Sequence, residues 1–113
     1  MNILILGSGI VGANLAKKLS EQGKNVYLLD DDANELKNLS ERFDIKTIYD
    51  DPLNPSFYKN FNTNIDYFIA VTRSDEKNII TSKFAKEFLN VDKSIARVRN
   101  QNLILDENKS CLL

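Results

Sequence analysis

The chain of 113 residues has no histidine, no tryptophan and a single cysteine, Cys111. Without histidine there is no Ser-His-Asp or Cys-His nucleophilic site, no imidazole metal ligand and no histidine acid-base for a dehydrogenase. One thiol forms no internal disulfide, which suits a reducing cytoplasm. An excess of either charge is missing too: 15 Lys and Arg stand against 16 Asp and Glu, a formal net charge of −1. No basic stripe is available for a nucleic-acid partner. No apolar run approaches membrane-spanning length, and no cationic leader precedes an apolar signal core. What remains, 42% hydrophobic and 27% charged, is the composition of one ordinary globular domain.

Glycine is scarce as well, yet three of the four glycines fall within six residues, Gly7-Ser8-Gly9-Ile10-Val11-Gly12. This segment follows directly on the apolar run Ile3-Leu4-Ile5-Leu6. Gly7 allows a tight turn out of a buried strand, Gly9 leaves bare backbone for a pyrophosphate, and Gly12 lets the following helix press against the strand. The amides opening that helix favour an anion. A second apolar run ends in Asp30, 18 positions after Gly12, close to the roughly 20 expected for a carboxylate that takes ribose hydroxyls. The pattern is the dinucleotide fingerprint in its proper setting. The bland alternative is a strand-helix turn that binds nothing.

Strands and helices alternate with short connections, which predicts a Rossmann-like doubly wound parallel sheet in one α/β domain, five strands in order 3-2-1-4-5. Strands are expected over 2–6, 25–29, 45–49, 66–71 and 94–99. Helices are expected over 10–22 and 33–42, with a short one from Pro55 and the longest after Ser74 as N-cap. Ile79, Ile80, Phe84, Phe88 and Leu89 would give that last helix a broad apolar face. Residues 1–100 make the domain, and 101–113 read as a tail or a cut linker.

In such a sheet ligands lie beyond the carboxyl ends of the strands. The second strand end offers Asp30 and Asp31, whose charge favours a free 2′-hydroxyl over a 2′-phosphate. Two like charges about 4 Å apart repel by up to about 4 kcal/mol at an effective dielectric near 20. NAD(H) or adenine nucleotides are therefore expected over NADP(H). The alternative for Asp31 and Asp32 is helix capping. At the third end, Asp51 could accept from an adenine amino group, or simply start a turn before Pro52. Thr72, Arg73 and Asn78 mark the fourth end. Arg97 and Arg99 close the fifth strand, either toward phosphates or as solvated surface charge.

The segments Gly7 to Gly12, Leu29-Asp30, Asp51, Ile69 to Asn78 and Ile95 to Asn100 together resemble the TrkA N-terminal domain, also called the RCK or KTN domain. The stretch Ala70-Val71-Thr72-Arg73-Ser74-Asp75-Glu76-Lys77-Asn78 carries more of this resemblance than the glycine loop does. The resemblance implies a non-catalytic, cytoplasmic regulator that binds NAD(H) or ATP/ADP. It implies a homodimer or higher ring that controls a membrane potassium transporter or channel, peripheral on the inner face of the membrane through that partner. By position, Gly7, Gly9 and Gly12 would hold phosphates, Asp30 the ribose and Asp51 the adenine, with Thr72 and Arg97 lining the crevice. Asp50-Asp51-Pro52-Leu53 departs from the family's Gly-Asp-Gly/Ala-Thr and loses a glycine and a threonine hydroxyl. The family's C-terminal sensing subdomain has no counterpart in these residues. Ile10 replaces the arginine that ATP-binding members can carry, which favours NAD(H). Two other readings are the cofactor half of an NAD-dependent oxidoreductase and a degenerate dimerisation module.

Overall fold

A computed structural model describes residues 1–103. Strand β1 (Asn2–Leu6) leads into helix α1 (Ile10–Glu21), and β2 (Asn25–Asp30) into α2 (Ala33–Arg42). Then follow β3 (Lys46–Tyr49), α3 (Pro55–Asn60), β4 (Tyr67–Ala70), α4 (Asp75–Phe88) and β5 (Lys93–Ala96). A single 3-10 turn, Gln101–Leu103, comes last, and the expectations for 104–113, Cys111 included, lie outside the described residues. All strands are parallel, in the order β3-β2-β1-β4-β5. The fold is Rossmann-like, as the alternation of elements predicts.

Burial explains why β1 is an unbroken apolar run. It is the central strand, with Ile3, Leu4, Ile5 and Leu6 all buried. Ile3 and Ile5 point to one face and pack with Val26, Leu28, Ala16, Leu36 and Leu39 under α1 and α2. Leu4 and Leu6 point to the other and join Leu29, Tyr58, Phe68, Ala70 and Ala85 under α3 and α4. Each such side chain removed from water contributes about 1.5–3 kcal/mol. Truncating Leu4 would cost about 2–5 kcal/mol of a total near 5–15 kcal/mol.

Two expectations change. The apolar stripe expected on α4 is only partly its buried face: Leu89 is buried and Phe84 packs against the core, but Ile80 is 43% exposed and Phe88 36%, whereas Asn78, Thr81, Ser82 and Ala85 are buried. Small polar residues face the sheet because their polar atoms are satisfied there, as when Ser94 Oγ donates to the Ser82 carbonyl at 2.6 Å. Strand β5 also stops at Ala96, so Arg97 and Arg99 lie beyond it. The Arg97 amide still donates to the Ala70 carbonyl at 2.9 Å. Beyond it, the amides of Arg99 and Asn100 turn to the Asp75 carboxylate, at 3.1 and 2.8 Å, which ends the ladder.

Candidate functional site

The turn after β1 is built by sterics. Gly7 has φ +118°, which few side-chain-bearing residues adopt. A Cβ on Gly12 would stand 1.7 Å from the Gly7 carbonyl oxygen, so the helix start and the strand end touch through bare backbone. A Cβ on Gly9 would meet nothing within 4 Å. Gly9 is also the N-cap of α1, and no side chain caps that helix. By contrast Asp32, Asn54 and Ser74 cap α2, α3 and α4. The opening amides of α1 thus face a groove without a protein acceptor from a capping side chain.

That groove, about 930 Å³, is lined by Gly7, Ser8, Gly9, Ile10 and Val11, then by Asp30, Asp31, Thr72, Arg73 and Arg97. The structure therefore brings together residues from four strand ends. Gly12 lies beneath the loop as its support. Asp51 does not line the groove: its Oδ1 accepts from the Leu53 amide at 3.0 Å, in a turn after β3. The buried Tyr58 hydroxyl pins that turn by donating to the Pro52 carbonyl at 2.7 Å. Burial, with the charges of Asp51 and Asp50, pushes the Tyr58 phenol far above its ordinary range.

Asp30 is partly engaged. Its Oδ2 accepts from the Ser8 amide at 2.6 Å, and its Oδ1 from the amides of Asp31 and Asp32 at 2.7 and 3.1 Å. A carboxylate has about four lone-pair sites, so one remains on Oδ2 for a further donor. Burial raises its pKa, but hydrogen bonds from Ser8 and Asp31 outweigh this and hold the carboxyl below the ordinary range. Asp30 thereby fixes the glycine loop and keeps its charge.

Asn78 does not line the groove either. It is fully buried, and its Oδ1 accepts from the amide and hydroxyl of Thr72 at 2.9 and 2.6 Å. Its Nδ2 donates to the carbonyls of Thr72 and Arg97 at 3.0 and 2.9 Å. Asn78 is thus a brace beneath the two strand ends, with every polar site used.

The groove also takes in residues that the sequence reading did not assign to it, among them Glu35, Arg42 and Lys77. Lys77 had a signal, since it stands three residues after the N-cap Ser74, on the turn that faces the strand ends. Ile10 is apolar and 78% exposed, yet the groove has cations from elsewhere, Arg42, Arg73, Lys77, Arg97 and Arg99. Among the described residues no group of three metal-ligating side chains occurs, and no helix is long and apolar enough to cross a membrane.

The model of the TrkA-N domain matches residues 3–105. The Trk system potassium uptake protein TrkA of Haemophilus influenzae is 31% identical over 110 residues, 96% of this chain and 24% of that protein. The chain spans about a quarter of the length of that relative. Among solved structures, the NAD(P)-binding domain of an exopolyphosphatase-related protein from Archaeoglobus fulgidus superposes with TM-score 0.77 at 22% identity, covering 88% of this chain and 74% of that one. The GsuK channel bound to NAD superposes with TM-score 0.69 at 18% identity, over 81% of this chain and 17% of that one. The glycine turn, the strand order and the match along nearly the whole length agree, and the chain belongs to the TrkA-N domain family.

Proposed function

We propose that this chain binds an adenylated nucleotide with free ribose hydroxyls, NAD(H) or ATP/ADP, and acts as a non-catalytic regulatory domain of a potassium uptake system. One observation carries the nucleotide reading: the Gly7–Gly12 backbone contact, which only glycine permits, beside an uncapped helix start and an open Gly9. In this reading the loop amides meet a diphosphate, Ser8 and Asp30 set the sugar, and Thr72 and Arg97 border the rest. The groove's donors and the open acceptor site on Asp30 fit such a ligand. Asp51 acts on the base side only if its turn shifts.

The regulatory part rests on family membership and on the Trk potassium uptake relatives. The GsuK channel, part of which superposes on this chain and whose structure is bound to NAD, adds support for NAD(H). A nucleotide can regulate only by binding one arrangement of the protein better than another, which suits a homodimer or ring beside a membrane transporter at the cytoplasmic face. The chain contains no histidine for the acid-base work of hydride transfer. Titration with NADH, NAD, ATP and ADP by calorimetry, with molecular mass recorded alongside, tests the reading. Binding without turnover is the expected result; hydride transfer to any substrate, or no binding at all, overturns it.

A further inference from the structure

Strand β3 is an outer edge of the sheet, paired on one side only, with β2. Parallel pairing engages alternate residues, and the Asp50 amide donates to the Asp30 carbonyl at 3.2 Å. Lys46, Ile48 and Asp50 therefore turn their backbone groups toward β2. The amides and carbonyls of Thr47 and Tyr49 face outward, with no backbone partner among the described residues.

Side chains alternate as well. Ile48 packs on the cluster under α3 and α4, and the Lys46 Nζ lies 5.3 Å from the centre of the Tyr27 ring on that same face. On the opposite face Tyr49 is 68% exposed, more than any other aromatic ring among the described residues. An edge strand commonly carries a lysine that discourages pairing with another chain. Here that lysine has a counterpart at the far end of the strand. Read against itself in the opposite direction about Ile48, the segment Lys46-Thr47-Ile48-Tyr49-Asp50 is self-complementary. Lys46 meets Asp50 of the second copy, Thr47 meets Tyr49, and Ile48 meets Ile48.

Other registers fail. A slip of one residue sets outward backbone groups against groups already turned to β2. Centring on Thr47 places Asp50 across from Asp44 of the second copy. Centring on Tyr49 sets Thr47 against Asp51, whose amide already donates to the Asp50 Oδ1 at 2.7 Å.

We propose that two copies of this chain pair through the β3 edge, antiparallel and in register about Ile48. Each Thr47–Tyr49 pair exchanges both N–H···O bonds, and both Tyr49 rings lose their exposure. A Lys46–Asp50 pair flanks Ile48 on either side, and opposite charges directly across an antiparallel pair stabilise it. The contact is isologous, joins the two sheets into one, and points their nucleotide grooves in opposite directions. It involves no nucleotide and is independent of the groove reading. So short a contact lies at the small end of stable interfaces, so reversible pairing with a Kd of about 1–100 μM is expected.

Light scattering on the full chain, from about 1 to 300 μM at low salt, tests this. The wild-type mass should rise from monomer to dimer. K46D sets acid across from acid and D50K sets lysine across from lysine, so each alone should weaken pairing at least about tenfold. Mixed in equal amounts, the two variants restore opposite charges in both pairs, and a dimer should return. T47P removes an outward amide at an edge position that tolerates proline, so pairing should be lost while circular dichroism and the urea midpoint stay near wild type. If T47P does not fold, the two charge variants and their mixture decide the matter. A wild-type chain that stays monomeric throughout, a dimer that a folded T47P leaves intact, or a mixture no heavier than its components overturns the proposal.

Discussion

Asn78 reaches across 19 residues to Arg97: its side-chain Nδ2 donates to the Arg97 carbonyl at 2.9 Å while its Oδ1 holds the Thr72 amide at 2.9 Å. A helix side chain thus joins two strand ends just past their last backbone bond, from the Arg97 amide to the Ala70 carbonyl. Its amide is the right group for the task. It presents an acceptor to the Thr72 donors and a pair of donors to two carbonyls, so every buried polar atom is paired.

Removing that amide should be costly. N78A strands the Thr72 amide and two buried carbonyls, at about 1–3 kcal/mol for each unsatisfied group, so a loss of about 3 kcal/mol in urea denaturation is expected. N78D sets a second oxygen against both carbonyls unless it is protonated. Its carboxyl pKa should therefore be raised in the folded state, and its stabilising protonated form is lost as pH rises above the ordinary carboxylate value. N78D should regain stability between about pH 7 and pH 5, and N78A should not. Parallel pH curves for the two variants would refute the brace.

Glycine positions separate folding from binding. In G12A the added methyl would collide with the Gly7 carbonyl, so the loop or helix must move, and a loss above about 3 kcal/mol is expected. In G9A the methyl meets no protein atom, at a φ of −69° that alanine readily adopts. Stability should change by less than about 1 kcal/mol. The methyl would stand where a pyrophosphate has to approach, so NADH affinity should fall at least about tenfold in calorimetry. Unchanged affinity in G9A would remove the loop from the binding site.

The pattern of what was legible follows from where each signal resides. Backbone-driven features were readable, because glycine at 7 and 12, the apolar β1 run and the caps at Asp32 and Ser74 each state a local requirement in residue type. The strand order followed from alternation of elements. The buried face of α4 was only half readable: Phe84 and Leu89 pack in the core, but only the long-range partners of Asn78 and Ser82 explain why polar residues are buried beside them. At Asp51 the sequence allows an adenine contact or a turn before Pro52, and the carboxylate serves the turn, accepting from the Leu53 amide. Lys77 reads as ordinary helix charge until the fold sets its turn beside the strand ends.

Acid should unfold the chain partly through two carboxylates. Burial raises Asp30, but bonds from Ser8 and Asp31 bring it below its ordinary value of 3.8, and the Arg99 and Asn100 amides lower Asp75 likewise. A group depressed in the folded state binds its proton more tightly when unfolded. Its contribution is complete above the unfolded value near 3.8 and is lost as pH falls through the folded one. The urea midpoint should therefore drop from about pH 4 downward, and less steeply in D30N and D75N than in wild type. A D30N/D75N chain with the wild-type acid slope would show that neither group is linked to folding.

Selectivity against a 2′-phosphate is the sharpest consequence of Asp30. Its carboxylate is anchored by three amides and has one acceptor site left, suited to a hydroxyl donor. A phosphate at that place offers oxygens instead, next to Asp30 and to Asp31 on the same bank. Even a fraction of the contact repulsion is tenfold in affinity, so NADPH should bind at least about tenfold more weakly than NADH. In D30N the charge is gone while one side-chain oxygen still accepts from the loop. The NADH:NADPH ratio should then narrow severalfold, chiefly because NADPH improves. If instead both cofactors weaken equally, Asp30 acts only as the loop's anchor and the discrimination resides in Asp31 and Glu35.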